Sequence, residues 1–207
     1  DLARLIALLH DIGRFEQLKR YDSFEPGTMD HAAYGVKVLF DEGMIRRFLP
    51  EDKWDSIIYT AIAHHSDYEL PEISDPQTLL HAKLIRDEDK LDNCRVKLVD
   101  STSTFINVSE EELGTQNITQ KVYETVFKNK CILSADRVTQ MDYWVSYIVY
   151  FFDINFKESF DIIAENDYLN RIIDRISYSN PVTKEQMEEI RVYMQNFINS
   201  HTGNQSF

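Results

Sequence analysis

Positive charge, cysteine and long apolar runs are all scarce in this sequence, and each scarcity removes a class of function. Lysine and arginine together number 22 against 35 aspartates and glutamates, a formal net charge of −13. A chain this acidic is not drawn over long range to nucleic acid or to an anionic membrane. Phosphate polymers are therefore poor candidates as partners, whereas a local cationic pocket for one small anion is compatible with any net charge. The two cysteines, Cys94 and Cys131, form neither a CxxC pair nor a disulfide framework. A reducing cytoplasm is the expected compartment, with each thiol a small, at least half-buried side chain. The most apolar stretch, YWVSYIVYFFDI at 143–154, has only 12 residues, too few to span a bilayer and suited to a buried helix. The opening DLARLIALLHD carries charge too early for a secretory leader and reads as a helix of a folded domain. Repeats, low-complexity blocks and convincing strand alternation are also missing.

What is present is an ordinary globular balance, 43% hydrophobic and 28% charged over 207 residues, enough to bury a core without staples. Leu2, Leu5, Ile6, Leu8 and Leu9 recur at helical spacing and place His10 and Asp11 at a helix end, with Gly13 able to stop it. The polar run 14–27, ending in Pro26–Gly27, reads as an irregular loop with at most one short turn. Thr28 is a candidate N-cap for a helix over 29–43, closed by Gly43. Pro50–Glu51–Asp52 opens another, which ends at His64–His65. A helix over 76–92 carries Asp89, with a short one at 94–101. Residues 102–109 read as a connector, and helices follow at 116–129, 131–152, 157–176 and 183–199, before a frayed HTGNQSF. The fold is expected to be all-α, with a core over 1–101 and a helical extension over 102–207 packed on it.

Five of the six histidines fall within residues 10–81. His10–Asp11, His64–His65 and Asp89 together offer mixed nitrogen and oxygen ligands, suited to Zn, Fe, Mn, Co or Ni. An ion of this kind lowers the pKa of water and neutralises charge on a phosphoryl oxygen.

The runs ALLHDIGRFEQ, DHAAYG, AIAHHSD and RDEDKLD resemble the HD-domain superfamily of metal-dependent phosphohydrolases, over about residues 1–100. The resemblance implies a helical bundle around one or two divalent ions, drawn from Mn, Fe, Co, Ni, Zn and Mg. His10 and Asp11 match the doublet that names the superfamily, and Asp89 matches its final metal-binding aspartate. His31, His64 and His65 match the added histidines of two-metal members, in which Asp11 would bridge both ions. A further family histidine is expected well upstream of the doublet, in a segment preceding Asp1. The SDYELPE that follows His65 departs from the loop of cyclic-dinucleotide members.

The implied reaction is hydrolysis of a small phosphorylated metabolite or nucleotide by a metal-bound hydroxide, with Asp11 central. His65 is a ligand or the proton donor to the leaving group. Arg14 and Lys90 are candidate cations for the substrate phosphate. Lys19, Arg20, Glu16 and Asp92 are weaker candidates. Asp87 and Glu88 are expected to face solvent, and His81 and His201 to lie outside the site. The aromatic stripe Tyr143, Trp144, Tyr147, Tyr150 and Phe151 reads as core or as the interface of a homodimer through the C-terminal helices. The alternatives are an HD-type phosphodiesterase, a non-catalytic metal- or nucleotide-binding regulatory domain, and an iron-dependent oxygenase.

Overall fold

The computed structural model describes residues 1–24 and 28–202. Among them are twelve α-helices, joined by short 3-10 and π-helical turns, and no strand. The fold is all-α. No described helix is long and apolar enough to cross a membrane. The chain divides into two compact units, Asp1–Asp89 and Lys90–Phe207.

The first unit contains α1 (Leu2–Leu9), α2 (Arg14–Tyr21), α3 (His31–Val36), α4 (Asp55–Ala63) and the first part of α5 (Pro76–Val99). Its core is Ile6, Leu9, Leu39, Ile58, Ala61, Ile62 and Ile85, all almost fully buried. Ile58, Ala61 and Ile62 stand at helical spacing on the inner face of α4. Each large aliphatic side chain buried in this way contributes about 1.5–3 kcal/mol relative to exposure.

Several expected boundaries move. Residues 14–21 form α2 instead of a loop. The polarity that suggested a loop is real, but here Gln17 turns inward, 1% exposed, and donates to the Thr28 hydroxyl at 2.8 Å, while Phe15 and Leu18 stay outside. Asp22, at φ 47, ends the helix in the left-handed region. Residues 25–27 of the expected loop lie outside the described residues. Asp30, not Thr28, caps α3, accepting from the Ala33 N–H at 2.8 Å. Helix α3 passes into a π-helical turn, Lys37–Asp41, and Gly43 then turns the chain at φ 74. Helix α4 begins at Asp55, after the expected Pro50–Asp52 start. Helix α5 is continuous and absorbs the separate helix expected at 94–101. Asp75 fixes its start by accepting from both the N–H and the hydroxyl of Thr78 at 2.7 Å.

The second unit adds α6 (Thr102–Ile106), α7 (Glu110–Thr115), α8 (Gln120–Val126), α9 (Gln140–Ile148), α10 (Lys157–Glu165), α11 (Tyr168–Asp174) and α12 (Pro181–His201). The expected connector at 102–109 thus contains α6. The three long helices expected between 116 and 176 are each shorter or interrupted. His201 is the last residue of α12, not part of a frayed tail, and stacks on Phe160; residues 203–207 lie outside the described residues. Trp144 and Phe151 of the aromatic stripe are fully buried among Val122, Ile148, Met187, Ile190 and Met194, with Tyr143 and Tyr147 partly buried against them.

Asp142 is the polar anchor of this unit. Fully buried, it accepts from the backbone N–H groups of Thr119, Val138 and Thr139 at 2.8, 2.9 and 3.0 Å. It also completes a capping box with Thr139. Asp142→Ala would leave these three part-buried donors without their acceptor, at a cost of about 2–4 kcal/mol. Amide exchange is expected to accelerate at Thr119, Val138 and Thr139 first. Unchanged protection at these three amides would contradict the assignment.

Candidate metal centre

Helices α1 and α4 end in the same way. After Leu9, the Nδ1 atom of His10 lies 2.8 Å from the Ala7 carbonyl oxygen. After Ala63, the Nδ1 atom of His65 lies 2.7 Å from the Ile62 carbonyl oxygen. A carbonyl only accepts, so Nδ1 carries the proton in both rings, and each neutral ring keeps its lone pair on Nε2. The accepting oxygens belong to the last turns of their helices, where carbonyls lack partners along the helix. The backbone itself thereby selects the tautomer.

Four further groups meet these two nitrogens. The His10 Nε2 lies 3.8 Å from Asp11 Oδ2 and 3.7 Å from Asp89 Oδ1. His65 Nε2 lies 3.6 Å from Asp11 Oδ1 and 3.0 Å from His31 Nε2. His31, the first residue of α3, places the same Nε2 atom 3.3 Å from Asp11 Oδ1. The ring of His65 stands edge-on to those of His10 and His31, with centroids 5.0 Å away in each case. Ligand atoms of His10, Asp11 and His65 all lie within 4.8 Å of one another. Arg14 supplies the fourth group, its Nε donating to Asp11 Oδ1 at 3.3 Å while Nη1 reaches Gln17 at 3.1 Å.

Lone pairs and carboxylate oxygens facing one another repel unless a positive charge sits among them. Two helix C-termini add partial negative charge at the same place. The donor set of imidazole nitrogens and carboxylates therefore fits a divalent transition ion. The ionisation of the groups follows the same logic. Burial opposes charge on Asp11, but the neighbouring His31 and His65 side chains, with the charge of Arg14 and that of His10 when protonated, hold its carboxyl far below the usual range. Burial likewise opposes charge on Asp89, but His10 and His65 in their protonated forms together outweigh it, so its pKa is lowered. Burial pulls His10 down, yet Asp89 and Asp11 raise it overall; His31 is lowered, chiefly by burial.

Exposure is graded across the cluster. The side chains of His65 and His31 are 1% and 9% exposed, those of Asp89, Arg14 and Asp11 30%, 32% and 43%. Solvent and any substrate therefore reach the centre on the side of Asp11 and Arg14.

The other sequence candidates are placed elsewhere. His64, expected as a ligand, is outside the compact group and pairs through Nδ1 with Asp67 at 2.6 Å; adjacent residues at a helix end point in different directions, and His65 takes the inward one. Lys90 is buried against Asp153 at 2.7 Å in the second unit. Asp92 is exposed and pairs with Arg95, and Glu16 pairs with Lys19 and Arg20. Asp87, expected in solvent, is fully buried, whereas Glu88 is exposed as expected. His81 is half-buried on α5.

Sequence reasoning missed Arg86. It is 1% exposed, and its guanidinium reaches the carbonyls of His64, His65, Asp67 and Tyr68 at 2.6–3.4 Å. The one signal was its place three residues before Asp89 on the same helix.

Gly13 acts through close approach and not through an unusual dihedral, since its φ is −67. A Cβ there would lie 2.0 Å from the His31 carbonyl oxygen and 2.9 Å from the Gly35 nitrogen. The His10–Gly13 turn thus rests on the backbone of α3, which sets the distance between Asp11 and His31. Gly13→Ala must push α3 away, and overpacking of this kind costs about 1–3 kcal/mol or more. Urea unfolding is expected to show that loss; a change under about 0.5 kcal/mol, the size of an ordinary surface substitution, would contradict the contact.

No curated protein and no solved structure matches the chain. Residues 1–94, just under half of the chain, match the HD domain family. That span holds both histidine-ended helices, the α3 histidine and the α5 aspartate. The amino-terminal part of this protein is thus similar to the HD domain family.

Proposed function

We propose that this protein is a metal-dependent phosphohydrolase acting on a small phosphorylated metabolite or nucleotide. The observation that carries the reading is the convergence of three imidazole Nε2 atoms on Asp11, with Asp89 beside His10. His10, Asp11, His31, His65 and Asp89 would hold the ion or ions. A divalent ion there supplies Lewis acidity, lowering the pKa of water and offsetting charge on a phosphoryl oxygen.

The two oxygens of Asp11 face different partners, Oδ2 toward His10 and Oδ1 toward His31 and His65. This division supports two ions sharing Asp11. Both nitrogens of His65 are engaged, one by Ile62 and one within the cluster, which favours a ligand role over proton donation to a leaving group. Arg14 stands at the open side beside Asp11, where its planar guanidinium suits a phosphate. Lys90, neutralised by Asp153, is not used in this reading.

Metal analysis of anaerobically prepared protein, followed by phosphomonoester and phosphodiester panels, tests the proposal. Asp11→Ala is expected to remove bound metal and turnover together, and retention of both would reject it. Arg14→Ala is expected to raise KM for a phosphorylated substrate about tenfold while metal content holds, the loss of one charge-assisted contact; unchanged KM would remove Arg14 from phosphate binding. Turnover on diesters alone would assign the phosphodiesterase reaction. Consumption of dioxygen by an iron-loaded protein would assign the oxygenase, and metal binding without any turnover a regulatory domain.

A further inference from the structure

We infer that Arg86 is the positioning residue of the metal centre, acting through the loop that carries His64, His65 and Asp67. The inference rests on the metal-binding reading above and adds a residue that no ligand pattern assigns. Helix α4 ends at Ala63, and the carbonyls of its last turn and of the loop beyond lack i+4 donors, although the Asp67 N–H reaches the His64 oxygen at 3.4 Å. The Ile62 oxygen takes the His65 Nδ1–H. The oxygens of His64, His65 and Asp67 take Arg86 Nη1 at 3.0, 3.3 and 2.6 Å, and that of Tyr68 takes Nη2 at 3.4 Å. One buried guanidinium therefore gathers four carbonyls of one loop, a task for which its fixed fork of donors is suited and a lysine ammonium is not.

The geometry ties ligands on two helices together. Arg86 and Asp89 lie three residues apart on α5, so both project from nearly one face. The helix that supplies Asp89 to His10 also holds the backbone on which His65 is mounted. His65 has its ring fixed at Nδ1 by Ile62 and its main chain fixed by Arg86, leaving Nε2 one direction to point. The cation also stands at the C-terminal end of α4, where positive charge is favoured. Partners that orient a ligand in this manner change metal affinity by about 10–100-fold when removed.

The test uses Co2+, whose visible absorption reports both affinity and coordination. In the full chain, Arg86→Met, which keeps length and loses the donors, is expected to bind Co2+ about 10–100-fold more weakly, with an altered spectrum. Amides 64–68 are expected to exchange faster, while those of α12 keep their protection. Arg86→Lys, which keeps charge, is expected to recover part of the affinity, and millimolar guanidinium to recover more in Arg86→Met. Wild-type affinity and spectrum in a folded Arg86→Met would overturn the inference. So would loss of folding in both variants, because Arg86 would then serve the whole unit and not the centre. Failure of the unsubstituted protein to bind Co2+ would instead reject the metal-binding reading on which the inference rests.

Discussion

Two hydrogen bonds from imidazole to backbone govern the rest of the site. Ala7 and Ile62 each offer an unsatisfied carbonyl in the last turn of a helix, and His10 and His65, each three residues on, donate Nδ1–H to it. With the proton fixed on that side, each Nε2 is committed to the cluster. Asp11, His31 and Asp89 then present three further donors to the same space. The arrangement is unfavourable when left without positive charge and favourable around a cation, so the suitability of the cluster for an ion originates in the way two short helices end. Gly13 permits the close approach of the His10–Gly13 turn to α3, and the four carbonyls gathered by Arg86 hold the end of α4.

Much of the cluster was legible because its histidines and aspartates sit in short, ordered motifs. His10–Asp11 follows an apolar helix face, and Asp89 lies on a long helix. Which member of His64–His65 turns inward was not legible. Adjacent residues differ by about 100° around a helix, and a shift of one position exchanges them. The bond to Ile62 settles it, and the exposed partner pairs with Asp67. Arg86 escaped notice because an arginine in the run IRDEDK resembles a solvated charge; only the folded loop brings carbonyls to it. Asp87 was misplaced for the same reason.

The fold class was readable from helical spacing, and the boundaries less so. Helix α2 inverts the usual pattern, burying Gln17 and exposing Phe15 and Leu18, so polarity argued for a loop where hydrogen bonding made a helix. The caps were ambiguous in kind: Thr28 and Asp30 are both good N-caps, and only the bond to the Ala33 N–H separates them. In the second unit the helix expected over 157–176 is broken at Asp167 and the one expected over 116–129 stops at Val126, before Asn129; Asn129 and Asp167 both adopt positive φ. Asparagine and aspartate tolerate that conformation better than other non-glycine residues, a tolerance visible in sequence only as an option.

The most direct measurement of the central claim is 15N NMR of the imidazole rings at alkaline pH, before and after addition of Zn2+. For His10 and His65 the account predicts Nδ1–H tautomers without the ion, and with the ion a shifted Nε2 resonance while the Nδ1 proton is retained. Nε2–H tautomers in the free protein, or no response of either Nε2 to Zn2+, would contradict it.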